Sequence, residues 1–301
     1  MKKILKERIL FAVLISGIAI YFFGRIKPSS NGFLSKHCFA EKTFTKEKFD
    51  IIIFGDSRIY RGVSPDEMKK EIGSSEKILN FGYSGGGFSK QIFDAIEKKL
   101  DSRGEKIIIL GITPHSLTDD AAGNNQFNEF LNKKREEVIE ELYLYKFLNF
   151  FEPTSIADIK MSFDDSVNIY YETYFENGWV ASNNKFPNPN EALPLYKKEF
   201  EQGKVNATIV NSLIVQIGIW HSAGITVYAF RPPTTEKMVK LENSMSSFDE
   251  KNISDRISAA GGIWLNIPLT GFISYDGSHL NEESAIKLSD TLATLIKKNF
   301  K

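Results

Sequence analysis

Short apolar runs alternate with amphipathic stretches along most of this chain. Five of the runs have five or six residues, and the first three are each followed by a glycine; they are Asp50–Phe54, Lys77–Phe81, Lys106–Leu110, Ile225–Phe230 and Gly262–Ile267. Runs that are apolar at consecutive positions are typical of strands buried on both faces, as in a parallel sheet covered by helices on each side. The pattern therefore predicts five strands of such a sheet.

Helical spacing appears between these runs. Apolar residues recur every three or four positions in three segments: Phe88, Ile92, Ile96 and Leu100; Val210, Leu213, Ile214 and Ile217; Leu288, Leu292, Leu295 and Ile296. Ser64-Pro65-Asp66-Glu67 has the capping serine, first-turn proline and third-position glutamate of a helix start. Residues 235–260 are predicted to be helical as well. Strand–helix alternation predicts one α/β domain over residues 48–301, a three-layer α/β/α sandwich.

One segment breaks the alternation. Residues 119–204 are rich in asparagine, phenylalanine and tyrosine and exceed the length of an ordinary crossover. We predict an insertion here, and its size makes it a candidate lid or binding surface.

The N-terminus carries an uncharged run of fifteen residues, Ile9–Phe23, between basic flanks. As a helix the run reaches about 22 Å, short of a hydrocarbon core of about 30 Å, and flanking arginine and lysine side chains could extend it. We predict a single-pass membrane helix within a stub and anchor of residues 1–27, followed by a tether over residues 28–47. A cleaved signal peptide is disfavoured because no small-x-small site follows, and a buried core helix is the remaining alternative.

Composition narrows the function. The 301 residues include one cysteine, Cys38, which excludes a disulfide framework and a cysteine-rich metal site. Residues 1–27 have a net charge of +5 and the remainder −5, so the body has no basic surface for nucleic acid.

The basic excess before the apolar run predicts a cytoplasmic N-terminus at the inner (cytoplasmic) membrane, with the large domain periplasmic or extracellular. No metal or cofactor is expected.

Candidate chemistry lies where the predicted strands end, which is where ligands bind in open α/β sheets. Gly55-Asp56-Ser57 follows the first strand, and Asp276-Gly277-Ser278-His279 precedes the last helix. A serine hydroxyl needs a neighbouring base, which a third group orients. We predict Ser57 as nucleophile, His279 as base and Asp276 as its partner.

Attack by Ser57 on a carbonyl group would make the carbonyl oxygen negatively charged, and this oxyanion needs hydrogen-bond donors close by. Backbone N–H groups of Ser57 and of a glycine after the second strand are the candidates, Gly82 before Gly85.

These motifs resemble the SGNH (GDSL) hydrolase superfamily over residues 48 to 301. The resemblance implies a flavodoxin-like parallel five-stranded sheet and ester chemistry at Ser57. The third block departs from the family, which has Gly-x-Asn where this chain has Gly111-Ile112-Thr113. Either the Thr113 hydroxyl or a backbone group replaces the asparagine donor, or the oxyanion hole is weaker. Membrane-anchored relatives with a divergent third block include the alginate-acetylation and teichoic-acid D-alanylation proteins.

Three further residues are candidate substrate contacts: His115 after the third strand, Arg231 after the fourth, and Arg58 beside the nucleophile. Each has a structural alternative. His115 could cap a helix, and Arg58 could form an internal ion pair.

The leading hypothesis is a membrane-anchored, extracytoplasmic serine O-acyltransferase that acts on hydroxyls of a cell-surface polysaccharide. The family resemblance implies a membrane-bound O-acyltransferase as acyl-supplying partner. A carbohydrate or lipid esterase with the same residues is the first alternative, and a non-catalytic assembly or binding partner is the second.

Overall fold

The computed structural model of this chain describes residues 2–23, 32–73, 75–150, 163, 166, 169–269 and 271–299. Its strands, in chain order, are β1 (Ile51–Phe54), β2 (Ile78–Asn80), β3 (Ile107–Gly111), β4 (Tyr170–Tyr174), β5 (Val180–Asn184), β6 (Thr226–Phe230) and β7 (Ile263–Trp264). Five of them form a parallel sheet in the order β2-β1-β3-β6-β7, and β4 and β5 form a separate antiparallel hairpin. The predicted α/β architecture is confirmed, and all five predicted strands belong to the sheet.

Fourteen helices are described. They are α1 (Lys2–Phe23), α2 (Gly32–Phe44), α3 (Ser57–Gly62), α4 (Pro65–Ile72), α5 (Lys90–Lys99), α6 (Asp119–Gly123), α7 (Gln126–Leu131), α8 (Arg135–Ile139), α9 (Tyr145–Phe150), α10 (Leu193–Gln202), α11 (Ala207–Ser222), α12 (Glu236–Met245), α13 (Glu250–Ala259) and α14 (Glu282–Asn299). A π turn at Glu140–Leu144 links α8 to α9, and a 3₁₀ turn at His115–Leu117 follows β3. The predicted cap of α4 is present, because Ser64 Oγ accepts a hydrogen bond from the Glu67 N–H at 3.4 Å.

Hydrophobic clusters cover both faces of the sheet. Alternate residues of β1 belong to different clusters: Ile52 packs with α5 and α11, whereas Ile53 packs with α4 and α14. All four residues of β1 are buried. A strand with apolar side chains on both faces therefore lies between two helix layers, as its sequence predicts.

The prediction of a tether is wrong over Gly32–Phe44, which forms α2 and packs on the domain. Phe39 and Ala40 lie in the core, and the Lys42 side chain is 3% exposed. Lys42 Nζ donates to the Gly82 carbonyl at 2.5 Å, and Thr43 Oγ1 hydrogen-bonds Tyr83 OH at 2.9 Å. Helix α2 thus supports the loop that follows β2. The prediction missed it because serine, asparagine and glycine near its start resemble a linker.

The predicted insertion at 119–204 contains helices α6 to α10 and the hairpin β4–β5. The hairpin contacts α3: Trp179 Nε1 donates to the Arg61 carbonyl at 2.9 Å, and Arg61 pairs with Glu172 at 3.2 Å. Part of the insertion therefore forms a wall beside the strand ends that carry the candidate chemistry.

Helix α1 contains the apolar run that suggested a membrane anchor. Its side chains from Ile9 to Ile18 are exposed; Leu10, for example, is 72% exposed, so the alternative of a buried core helix is wrong for this stretch. Among the described residues, no helix has an apolar stretch long enough to traverse a lipid bilayer. The membrane location stays a prediction.

Candidate active site

Ser57 is placed by a tight connection between β1 and α3. Gly55 allows this connection, since a Cβ on it would lie 2.3 Å from Ile59 Cγ1 and 2.9 Å from the Gly111 carbonyl. Asp56 then caps α3, with Oδ1 accepting from the Arg58 N–H at 3.0 Å. Ser57 is the first residue of the helix and is partly exposed. The local sequence therefore presents this hydroxyl at the carboxyl edge of the sheet.

The three residues predicted as nucleophile, base and orienting carboxylate lie in one hydrogen-bonded row. Ser57 Oγ is 2.7 Å from His279 Nε2, although the two residues are 222 positions apart in sequence. His279 Nδ1 is 2.6 Å from Asp276 Oδ2. With the Nδ1 proton donated to Asp276, Nε2 is free to accept the hydroxyl proton. This is the order of contacts that a serine nucleophile requires.

The loop before α14 holds the base in place. Asp276 Oδ1 accepts from the N–H groups of Ser278 and His279 at 2.8 and 2.7 Å. The Gly277 carbonyl accepts from the hydroxyls of Thr234 and Thr235 at 2.6 and 3.0 Å. Gly277 has a φ of +98°, and a Cβ there would lie 2.3 Å from the Pro189 carbonyl oxygen. The loop accordingly needs glycine at this position.

Electrostatics suit these roles. Burial disfavours the Asp276 carboxylate, but the hydrogen bond and charge of His279 and two backbone N–H groups outweigh it and lower the pKa of Asp276 to about 2. Burial and the nearby Arg61 cation lower the pKa of His279 below its usual value, more than Asp276 raises it. Asp276 is thus ionised and His279 neutral near pH 7, as an orienting carboxylate and a general base should be.

A prediction for the pH dependence follows from the direction of the His279 shift. If Ser57 attacks an ester, kcat/KM should rise with pH as His279 loses its proton, with a midpoint below 6.5. The measurement is a pH–rate profile of ester hydrolysis on both sides of that value. A midpoint above it would show that the Asp276 carboxylate outweighs burial and Arg61, contrary to the electrostatics of the site.

Arg58 and Arg231, predicted as candidate substrate contacts, are instead internal. Their side chains are 2% exposed, and both bind Glu242, at 2.5 Å from Arg58 Nη2 and 2.7 Å from Arg231 Nη2. Arg58 Nε also donates to Ser278 Oγ at 3.0 Å. A buried carboxylate between two guanidinium groups thus stabilises the loop that carries His279, and the structural alternative for Arg58 is the correct one.

The predicted oxyanion donors divide into two groups. The N–H of Gly82 already donates to Asn80 Oδ1 at 3.0 Å. Thr113 is fully buried; its hydroxyl donates to Asp56 Oδ2 at 2.5 Å and its N–H to Ser116 Oγ at 3.1 Å. Both predictions are therefore wrong, because neighbouring acceptors occupy these donors.

The other two donors stay available. Within the described part of the chain, the N–H groups of Ser57 and Gly85 have no protein acceptor. Gly85 has a φ of +62°, and the loop that carries it packs against Gly55, because the Tyr83 N–H donates to the Gly55 carbonyl at 3.1 Å.

His115 lies next to this loop. A Cβ added to Gly85 would be 3.9 Å from His115 Nε2. His115 Nδ1 is 3.5 Å from Glu199 Oε2, and only 13% of the His115 side chain is exposed. His115 therefore borders the loop that carries Gly85, and a contact with substrate stays a prediction.

Sequence reasoning missed two aromatic residues of the site. Tyr275 stacks on the His279 ring at 5.9 Å and hydrogen-bonds Tyr170 of the hairpin at 2.9 Å. Tyr196 of α10 accepts from Ser278 Oγ at 2.9 Å. No motif marks either residue: Tyr275 directly precedes Asp276, and Tyr196 reaches the site from a helix distant in sequence.

Comparisons with known proteins give distant similarities only. No protein-family model matches the chain, and no curated protein matches it in sequence. Est24, a carbohydrate acetylesterase from Sinorhizobium meliloti, is similar in structure at 13% identity and a TM-score of 0.39, over 83% of this chain and 99% of its own. A provisionally assigned platelet activating factor from Streptococcus pneumonia is similar at 12% identity and a TM-score of 0.37, over 95% and 99% of the two chains. The function is therefore inferred from this chain's own residues.

Proposed function

We propose that this protein is a serine-dependent enzyme that takes an acyl group from an ester and transfers it to a hydroxyl acceptor. The observation that carries the proposal is the row of hydrogen bonds from Ser57 Oγ through His279 to Asp276, at 2.7 and 2.6 Å. A non-catalytic role gives no reason for a neutral imidazole aimed at a partly exposed serine hydroxyl.

The reaction proceeds through an acyl-enzyme. Ser57 Oγ attacks the acyl carbonyl carbon while His279 Nε2 takes the hydroxyl proton, and the carbonyl oxygen becomes an oxyanion. The N–H groups of Ser57 and Gly85 donate to it. When the tetrahedral intermediate collapses, the ester C–O bond breaks and His279 returns the proton to the leaving alkoxide. An acceptor hydroxyl then reverses these steps, again with His279 as base.

The acceptor we propose is a sugar hydroxyl of a cell-surface polysaccharide. A pocket of about 460 Å³ opens beside His115, and most of the side chains around it are polar; they include Thr118, Asp119, Asp120, Asn124, Glu199 and Lys204. Such a lining can hydrogen-bond a polyhydroxylated ligand. Water as acceptor uses the same catalytic residues and makes the protein a carbohydrate or lipid esterase.

The location and partner belong to the proposal too. Helix α1 exposes the apolar side chains from Ile9 to Ile18. Four basic residues precede this run: Lys2, Lys3, Lys6 and Arg8. We propose that it holds the protein at the cytoplasmic membrane, with the domain outside and the N-terminus in the cytoplasm. A membrane-bound O-acyltransferase is the partner that would supply acyl groups there.

Turnover of a chromogenic acetyl ester tests the proposal. The full-length protein in detergent is assayed with and without an oligosaccharide acceptor, beside Ser57→Ala. We expect Ser57-dependent release of the chromophore and acetylated oligosaccharide, detected by mass spectrometry. Release without acetylated product shows an esterase. Absence of any Ser57-dependent reaction contradicts the proposal.

A further inference from the structure

We propose that His115 is a catalytic residue whose Nε2–H donates to the oxyanion, beside the N–H groups of Ser57 and Gly85. The inference rests on the proposed function and identifies the third donor, the role that the sequence assigned to Thr113. It places the Nε2–H of His115 against the reacting atoms, in addition to the part that His115 has in lining the polar pocket.

The order of strands brings the three donors together. Ser57 follows β1, Gly85 follows β2, and His115 follows β3, and β1 lies between the other two in the sheet. The loop that carries Gly85 packs tightly against Gly55, two residues before Ser57. The approach is so close that a Cβ on Gly86 would lie 2.5 Å from the Gly55 carbonyl oxygen. His115 Nε2 borders Gly85 on the other side, at 3.9 Å from the position of its absent Cβ. The imidazole therefore borders the loop that presents the free Gly85 N–H.

Helix α10 holds the ring in this orientation. Glu199 lies 3.5 Å from Nδ1, and Tyr196 meets the ring edge-on at a centroid distance of 6.4 Å. The Tyr196 hydroxyl hydrogen-bonds Ser278, the residue before the base His279. One helix thus fixes both His115 and the loop of His279, so that the two imidazoles keep a constant relative position.

The donor role of Nε2 depends on which group carries the hydrogen between His115 Nδ1 and Glu199. An ionised Glu199 would accept from Nδ1 of a neutral ring and leave Nε2 as an acceptor, as in the pair of Asp276 and His279. A protonated Glu199 donates its O–H to Nδ1, and the neutral ring then carries its hydrogen on Nε2. Burial raises the pKa of Glu199 against the opposing effect of His115, which is the direction that this second arrangement needs. The proposal therefore takes Glu199 as the protonated partner.

Thr113 cannot take this role in the structure. Its single hydroxyl hydrogen is used on Asp56 Oδ2 at 2.5 Å, and its N–H is used on Ser116. These bonds instead fasten the residue before the nucleophile to the end of β3. The segment after β3 thus contributes two residues to the site: Thr113 positions Asp56, and His115 borders the loop that carries Gly85.

Three substitutions of His115 test the inference with the acetyl ester assay. His115→Ala should lower kcat by about 10²- to 10³-fold with KM within a few-fold of the wild type, since an oxyanion exists only after attack. His115→Gln places an amide N–H near the position of Nε2 and should recover most of kcat. His115→Asn, whose shorter amide reaches only the position of Nδ1, should stay near the alanine variant.

The outcomes separate the inference from the proposed function. A kcat for His115→Ala close to the wild type, or equal kcat values for the glutamine and asparagine variants, overturns the role of His115 while Ser57-dependent turnover stands. A rise in KM alone shows a binding contact and likewise overturns it. Loss of Ser57-dependent turnover in the wild type removes both. The glutamine and asparagine pair decides the question even if the alanine variant does not fold.

Discussion

His279→Ala is expected to reduce kcat for ester turnover by about 10⁴- to 10⁶-fold, a loss matched only by that of Ser57→Ala. The Ser57 hydroxyl is a weak nucleophile, and His279 Nε2, 2.7 Å away, is the base that activates it. Chromophore release from an acetyl ester measures the loss. His221→Ala is the matched control, because this exposed histidine ends α11, before β6 and away from the carboxyl edge of the sheet. It should leave kcat unchanged.

The double variant sharpens this prediction. Ser57 and His279 act in one step, so Ser57→Ala combined with His279→Ala should be no slower than either single variant. Losses that multiply in the double variant would mean that the two residues act independently. The row of hydrogen bonds would then not be the catalytic unit.

Glu242→Ala is expected to destabilise the fold by about 3–5 kcal/mol, because it removes the buried carboxylate that pairs with Arg58 and leaves Arg231 with the partly exposed Glu250 as its carboxylate partner. Glu242 is fully buried and binds Arg58 and Arg231 through different carboxylate oxygens, at 2.5 and 2.7 Å. Urea unfolding followed by circular dichroism measures the change in the free energy of unfolding.

The control for this prediction uses the same arginine. Glu250 pairs with Arg231 Nη1 at 2.8 Å, but 37% of its side chain is exposed, so solvent screens the pair. Glu250→Ala should therefore cost at most about 1 kcal/mol. Similar losses for the two variants would contradict the assignment of Glu242 as the buried centre of the network.

The sequence predicted the sheet well because its signal is local. Each strand is a run of apolar residues such as Ile51–Phe54, and burial on both faces leaves no alternation that could be misassigned. The length of an edge strand was predicted less well. Strand β7 pairs over two residues where six were predicted, since it has a neighbouring strand on one side only. The hairpin β4–β5 was missed because β4 has no buried residue and only the first three residues of β5 are buried, which leaves no clear apolar pattern.

Predictions of individual contacts were less reliable, because the sequence does not show which acceptor a given hydrogen-bond donor will use. Arg231 was expected to contact substrate, but it pairs with Glu242 inside the protein. Gly82 and Thr113 have the right donors in the right place along the chain, yet Asn80 and Asp56 accept from them first. A donor is available only if no nearer acceptor uses it: Asn80 lies two positions before Gly82, whereas Asp56 reaches Thr113 from the loop after another strand.

By itself the sequence determined the sheet, the strand ends and the identity of the residues that meet there, because apolar runs, glycine turns and capping residues act over a few positions. Tertiary structure decided that Asp56 uses the Thr113 hydroxyl and that Ser57 meets His279, because these pairs lie 57 and 222 positions apart in sequence. In the folded protein Thr113 hydrogen-bonds Asp56, Arg58 and Arg231 pair with the buried Glu242, and α2 packs on the domain where a tether was expected. Buried charges such as Arg58 and Glu242 find their partners on segments distant in sequence, and no local pattern encodes those pairings.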